Sequence, residues 1–340
     1  MHVSLRIRSV SEEELTFVKQ IGVDYVDIGP PVVGEVLPGT LPGFQKNRLR
    51  LDKVQEAIKK VRQAGLEVAA FVDFPPTRAI LMKESEADLL LQDFCNYIRL
   101  LGENQVPVSQ LCLEMVRHGP GGVPGRYMRK HRGGYEMSAF SLARMRDELT
   151  NRDMNARWSH HFRDRLTSEE YFSRCVEVCK RLAPIAEDSG VGLALHTDDP
   201  PVPDSEGLLP GITNPLLINR LFESVGSENL GLLFCCGTRY ETGVDVFDQI
   251  RMFGEKGRIF HVHLRNVRGT LPSAGEYEEV SIDDGDMDMF GVLDTLDEIG
   301  YDGAVYPDHV PNLLGDESRR TALAFAVGYT KALLSVLGRD

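Results

Sequence analysis

The sequence predicts an α/β protein folded as a (β/α)8 TIM barrel with a long insertion after its fourth strand. Three observations predict it. Eight short apolar runs alternate with amphipathic helical stretches. Several helical stretches stop at Gly and turn directly into the next run, as in "KQIGVDY", "RQAGLEV", "EDSGVGL", "GEKGRIF" and "DEIGYDG". Polar residues gather at the ends of the later runs, where a barrel builds its active rim. An open doubly wound sheet also alternates strand and helix. It is disfavoured because no Gly-rich phosphate turn follows the first run.

Taken in order, the strand-like runs are "HVSLRIR" from residue 2, "VDYVDIG" (23–29), "LEVAAFVD" (66–73), "SQLCLEM" (109–115), "VGLALHTDD" (191–199), "LGLLFCCG" (230–237), "IFHVHLRN" (259–266) and "GAVYPDHV" (303–310). Between them, stretches such as "SEEELTFVKQIG" and "SEEYFSRCVEVCKRLAPIAEDSG" open on Ser and close on Gly, which are helix start and stop signals. Cys175 and Cys179 share one face of the second stretch and read as packed hydrophobes. Residues 117–166 break the rhythm. They are rich in Gly, Arg and His and hold the single Trp, Trp158. The segment is too long for a βα loop and is expected to be a lid or subunit contact within one barrel domain spanning 1–340, with a short helix at 138–149.

The totals narrow the function. At 340 residues with 42% hydrophobic and 26% charged residues, the chain can bury a large core. A net charge of −13 argues against nucleic acid, which is bound through Lys and Arg excess. No run reaches the roughly 18–20 apolar residues of a membrane span. "MHVSLRIRSVSEEEL" lacks the apolar core of a signal peptide, so a cytoplasmic protein with reduced thiols is expected. The six cysteines include no CxxC pair.

Four consecutive strand endings carry metal-ligating side chains. His196 closes "GLALH", Cys235 closes "GLLFC", His263 closes "FHVH" and Asp308 closes "AVYPD". A barrel brings these ends to one rim without any local zinc motif. Two imidazoles, a thiolate and a carboxylate carry two negative charges, which one divalent ion offsets. The donor types leave zinc, iron and manganese open. Four protein ligands leave positions for substrate oxygens, which marks a catalytic site. Strand alternation puts His261 on the same face as His263 but deeper, and turns Cys236 away from Cys235. Around this set, Arg265 is suited to clamp a carboxylate two-handed. His309 is suited to act as general base. Asp198, Asn266, Asp284 and Thr238 are expected to contact substrate, although the first job of "SIDDGDMDM" is helix capping.

With these residues placed, the sequence resembles the mannonate dehydratase family. The blocks that carry the likeness are "HTDDPP", "FCCGT", "HVHLRNV", "DDGDMDM" and "YPDHVP", spanning roughly 190–312. The resemblance implies a barrel of the xylose-isomerase-like superfamily, with Mn²⁺ or Fe²⁺ held at His196, Cys235, His263 and Asp308 and with His309 as a catalytic histidine. It implies removal of water from D-mannonate to give 2-keto-3-deoxy-D-gluconate. The chain departs from the family pattern at Thr197, where Pro is usual, and at Tyr306, where Arg is common. The family tyrosine of the C-terminal segment has only Tyr329 as a counterpart, within an apolar helix pattern that reads as core.

Two other readings share the barrel. A sugar isomerase or epimerase would hold its metal mainly with carboxylates, and Glu is scarce at these strand ends. A sugar-acid-binding relative would bind without turnover. The expected partner is a small sugar acid, with neither nucleic acid nor membrane, and the class suggests a homo-oligomer, dimer or tetramer.

Overall fold

The computed structural model describes residues 1–29, 32, 44–45, 48–72, 77–113, 123–150, 166–203 and 211–339. Eight parallel strands close into a barrel: β1 (His2–Ile7), β2 (Tyr25–Ile28), β5 (Glu67–Phe71), β6 (Val108–Cys112), β9 (Gly192–His196), β10 (Leu230–Cys235), β11 (Ile259–His263) and β14 (Ala304–Tyr306). They follow chain order around the ring, and β14 shuts it on β1 through His2↔Ala304 and Val3↔Val305. Each is one of the eight apolar runs of the sequence. Two short strands, β3 (Phe44–Gln45) and β4 (Arg48–Leu49), pair antiparallel outside the barrel.

The helices start and stop where side-chain chemistry directs. Ser11 accepts from the Glu14 amide to cap the helix Glu12–Gln20. Thr167 and Glu170 cap the helix Ser168–Ser189 reciprocally, and Gly190 at φ 65° ends it. That helix buries Tyr171, Phe172, Cys175, Val178, Cys179 and Leu182, so both cysteines pack as hydrophobes. Each fully buried side chain of this size contributes about 1.5–3 kcal/mol. No helix among the described residues is long and apolar enough to cross a membrane.

The main core lies between strands and helices, and a smaller cluster gathers Ala70, Val72, Val108, Ala194 and Leu233 from neighbouring barrel strands. Elsewhere the strands meet through polar groups. Ser4 Oγ donates to Asp27 Oδ2 at 3.0 Å, and His261 Nε2 lies 3.0 Å from both Asp27 oxygens. All three residues are fully buried. His261 is thus the deeper group expected on the face of β11 that carries His263.

The insertion differs from expectation. Residues 138–141 are not helical. They belong to β8 (Glu136–Ser141), which forms a hairpin with β7 (Arg126–Lys130), and the helix is Leu142–Thr150. The reason is long-range: β8 finds a second partner in β13 (Glu276–Val280), which pairs in turn with β12 (Asn266–Arg268). Pairing on both edges outweighs a local helical preference. The result is an antiparallel sheet of order β12-β13-β8-β7. Residues 117–122 and 151–165, including Trp158, lie outside the described residues.

Candidate metal centre and its charge network

His196, Cys235 and His263 end β9, β10 and β11, and their ligand atoms all lie within 4.8 Å of one another. All three are buried. Asp308 joins the group through His263, with Oδ2 3.3 Å from Nδ1. Asp308 does not close a strand as expected. The strand ends at Tyr306, because Pro307 has no N–H to continue the ladder, and Asp308 stands two residues beyond.

The donors fit a metal ion. His196 Nδ1 lies 2.7 Å from the Thr197 carbonyl, which can only accept, so the ring proton sits on Nδ1 and Nε2 is the nitrogen that would coordinate an ion. Both nitrogens of His263 are buried and make no well-aligned hydrogen bond among the described residues, although Nδ1 lies 3.3 Å from Asp308. Buried polar atoms are rarely left so, and a cation would satisfy them. Burial alone would raise the Cys235 pKa, but Arg265, His196 and His263 outweigh it and hold the thiol well below its ordinary range. Thr238 Oγ1 also donates to the sulfur at 3.1 Å. Burial drives the adjacent Cys236 the other way, well above its ordinary value. One thiol is a ready ligand and its neighbour is inert core.

Behind the sulfur lies a knot of charge centred on Arg265, which is 1% exposed. Its Nε donates to Cys235 Sγ at 3.2 Å. Nη1 is 2.7 Å from Glu241 and donates to Glu279 at 3.3 Å. Nη2 donates to Asp199 and to Thr238, each at 3.0 Å. Arg265 was expected to clamp a substrate carboxylate; here every guanidinium nitrogen has a partner within the protein, Cys235, Glu241, Glu279, Asp199 or Thr238. Asp199 also pairs with Arg126 of the hairpin and accepts from Tyr277 Oη at 3.3 Å. Asp199, Glu279 and His309 form a second group with ligand spacing. Arg265 and Arg126 already answer the charge of its carboxylates, which disfavours a second cation there.

His309 adopts φ 53°, the left-handed region that costs a non-glycine residue on the order of 1–3 kcal/mol unless its surroundings hold it. Its Nδ1 is 3.0 Å from Glu279 Oε1 and its Nε2 is 3.3 Å from Asp308 Oδ2. Burial opposes protonation, but the two carboxylates prevail and raise its pKa to about 9. Tyr306 stands edge-on to His263, with ring centroids 5.3 Å apart.

The four residues expected to contact substrate all have partners within the protein. Asn266 Nδ2 donates to the carbonyls of Ile282 and Met287, while Oδ1 accepts from the amides of Val267 and Met287. Its amide is spent in clipping the acidic loop shut. Asp284 accepts from Tyr135 Oη at 2.8 Å and pairs with Arg268. Asp198 accepts from the Ile212 amide at 2.8 Å. Thr238 is wholly buried between Cys235 and Arg265. The capping role of the acidic loop is borne out, since Asp288 accepts from the amides of Phe290 and Gly291. Sequence reading missed Glu241, Glu279, Arg126 and Arg239. Arg239 donates to Thr197 Oγ1 at 2.6 Å and to the Thr213 carbonyl at 2.7 Å. Thr197 thus anchors an arginine beside the rim. Glu279 did leave a signal, a charged residue in a strand-like alternation, "EYEEV".

A closed (β/α)8 barrel with a thiol and two imidazoles converging from neighbouring strand ends defines a TIM-barrel protein with a candidate metal centre on its rim. The family model "D-mannonate dehydratase (UxuA)" matches residues 147–338, more than half of the chain. The chain belongs to that family, a family of hydro-lyases. Mannonate dehydratase from Streptococcus pneumoniae is 26% identical over 289 residues, 79% of this chain and 76% of that one. The crystal structure of mannonate dehydratase from Streptococcus suis serotype 2 superposes with a TM-score of 0.81 at 23% identity, covering 100% of this chain and 97% of that one. D-psicose 3-epimerase from Clostridium cellulolyticum H10 gives a TM-score of 0.60 at 13% identity, covering 98% and 99%. These structural likenesses speak to the shared fold.

Proposed function

We propose that this chain removes water from D-mannonate to give 2-keto-3-deoxy-D-gluconate, using a divalent metal held by His196, Cys235, His263 and Asp308. One observation carries the reading: three ligand atoms within 4.8 Å of one another, buried at barrel strand ends, in a chain of this family. Mn²⁺ or Fe²⁺ suits a donor set that mixes thiolate, imidazole and carboxylate.

Dehydration takes the proton from C2 of the sugar acid and the hydroxyl from C3. The bound ion would polarise the substrate carboxylate and its neighbouring hydroxyl, stabilising the charge left when the C2 proton departs. The side chains supply the rest. His309, beside Asp308 and raised to a pKa of about 9, takes the C2 proton at Nε2 in its neutral form, so turnover should rise as pH approaches 9. Tyr306, at the level of His263, offers a phenol to protonate the departing hydroxyl. Arg265 and Thr238 keep Cys235 anionic and fixed. The enol product then becomes the keto acid by proton transfer to C3.

The test is an assay of metal-stripped and Mn²⁺-reloaded protein on D-mannonate. A keto-deoxy acid formed by the reloaded protein, and lost in His309→Asn with metal content unchanged, supports the reading. A product of unchanged mass would point to an isomerase or epimerase. Binding without turnover would point to a sugar-acid-binding relative.

A further inference from the structure

We propose that Glu279 is the positioning residue for His309, delivered to the metal centre by the sheet that the insertion completes. The inference rests on the reading of His309 as the base. His309 needs an outside constraint. Its side chain is 30% exposed and its backbone is in the left-handed region, so neither deep burial nor regular structure fixes the ring. Contacts fix it instead. Asp308 lies 3.3 Å from Nε2 but is also committed to His263. Glu279 lies 3.0 Å from Nδ1, from a different element of the fold, and is 4% exposed.

Charge counting separates this role from simple neutralisation of Arg265. Asp199 and Glu241 already flank that guanidinium at 3.0 and 2.7 Å, and Cys235 lies at its Nε. Arg126 is paired with Asp199 and stands 4.0 Å from Glu279. Two guanidiniums thus face three carboxylates and a thiolate, four anionic groups against two cations, and Glu279 is the one of the four that meets the imidazole. The Glu279 carboxylate holds the Nδ1 edge of the ring, so the opposite edge, Nε2, is the one turned toward Asp308 and the metal centre. The strand carrying Glu279 is braced on both edges, by Glu279↔Val267 on β12 and Glu278↔Ala139 on β8. The hairpin of the insertion therefore stiffens the element that aims the base.

The experiment compares Mn²⁺-loaded wild type, E279Q, E279A, H309N and the double variant H309N/E279Q on D-mannonate. E279Q keeps the shape of the side chain and removes its charge. It is expected to lower kcat by about 10²–10³-fold while KM stays within about threefold. Its metal content and melting temperature should match wild type, and the double variant should be no slower than H309N alone, as for residues acting through one group. E279A, which also removes the contact, should be at least as slow as E279Q. Wild-type kcat in E279Q beside an inactive H309N would overturn the proposal and spare the base assignment. Losses that multiply in the double variant would also overturn it, by showing that Glu279 acts elsewhere. Full turnover in H309N would instead overturn the base assignment, and this proposal with it.

Discussion

The Nε of Arg265 lies 3.2 Å from the sulfur of Cys235, and the remaining nitrogens of that guanidinium are taken by Asp199, Thr238, Glu241 and Glu279. The arginine therefore lies against the candidate metal ligand. Arg265→Gln removes the charge that holds the thiol below its ordinary range, so protons compete harder for the sulfur. Mn²⁺ affinity in the variant should fall about tenfold or more between pH 8 and pH 6, while wild type changes much less. Equal pH dependence in the two proteins, measured by metal titration, would show that the guanidinium does not set the thiol.

Asn266 closes four hydrogen bonds with one amide, to Ile282, Val267 and twice to Met287. Asn266→Ala leaves those backbone groups buried without their partner and should cost about 3 kcal/mol of stability. Urea denaturation measures it. A loss below about 0.5 kcal/mol, in the range of a neutral surface change, would return Asn266 to the list of candidate substrate contacts.

Asp316 caps the helix Arg320–Val336 from outside, accepting from the Ala322 amide at 2.9 Å, while the residue at the cap position, Arg319, makes no side-chain cap. Burial raises the Asp316 pKa, but the amides of Ala322 and Thr321 outweigh it and hold the carboxyl below its ordinary value. A lowered carboxyl contributes stability above its unfolded pKa of about 3.9 and loses it as pH falls through the depressed value. Asp316→Ala should cost about 1 kcal/mol at pH 7. The gap between variant and wild type should narrow as denaturation is repeated toward pH 3. A gap that stays constant would assign the effect to packing rather than to the charged cap.

Tyr306 stands edge-on to His263, with ring centroids 5.3 Å apart. Tyr306→Phe keeps the ring and removes the hydroxyl. With full metal content, kcat should drop by about 10²-fold, the low end of general acid contributions. Unchanged kcat would mean that the departing hydroxyl is protonated by another group.

The barrel was legible because its signals are local. Each strand is a short apolar run, and Gly190 at the end of its helix shows why the stop signals are reliable. His196, Cys235 and His263 were legible because strand ends share one rim, so fold class alone brought them together. Asp308 comes to lie beside His263 although its strand stops two residues earlier, at Tyr306. What the sequence hid is long-range. The direction of Arg265 depends on Asp199, Glu241 and Glu279, which come from three separate segments. Strand β8 exists because β13 lies alongside it, through Tyr277↔Phe140. Neither fact has a local periodicity to announce it. A polar residue beside a site in sequence, such as Asn266, reads as a substrate contact until its partners are seen.

X-ray absorption at the metal edge of Mn²⁺-loaded protein, paired with turnover of D-mannonate, tests the metal centre most directly. The structure predicts one ion per chain with a single sulfur scatterer among nitrogen and oxygen donors. Cys235→Ser should lose that scatterer and most of the activity together. An ion bound without sulfur, or full turnover by chelator-stripped protein, would contradict it.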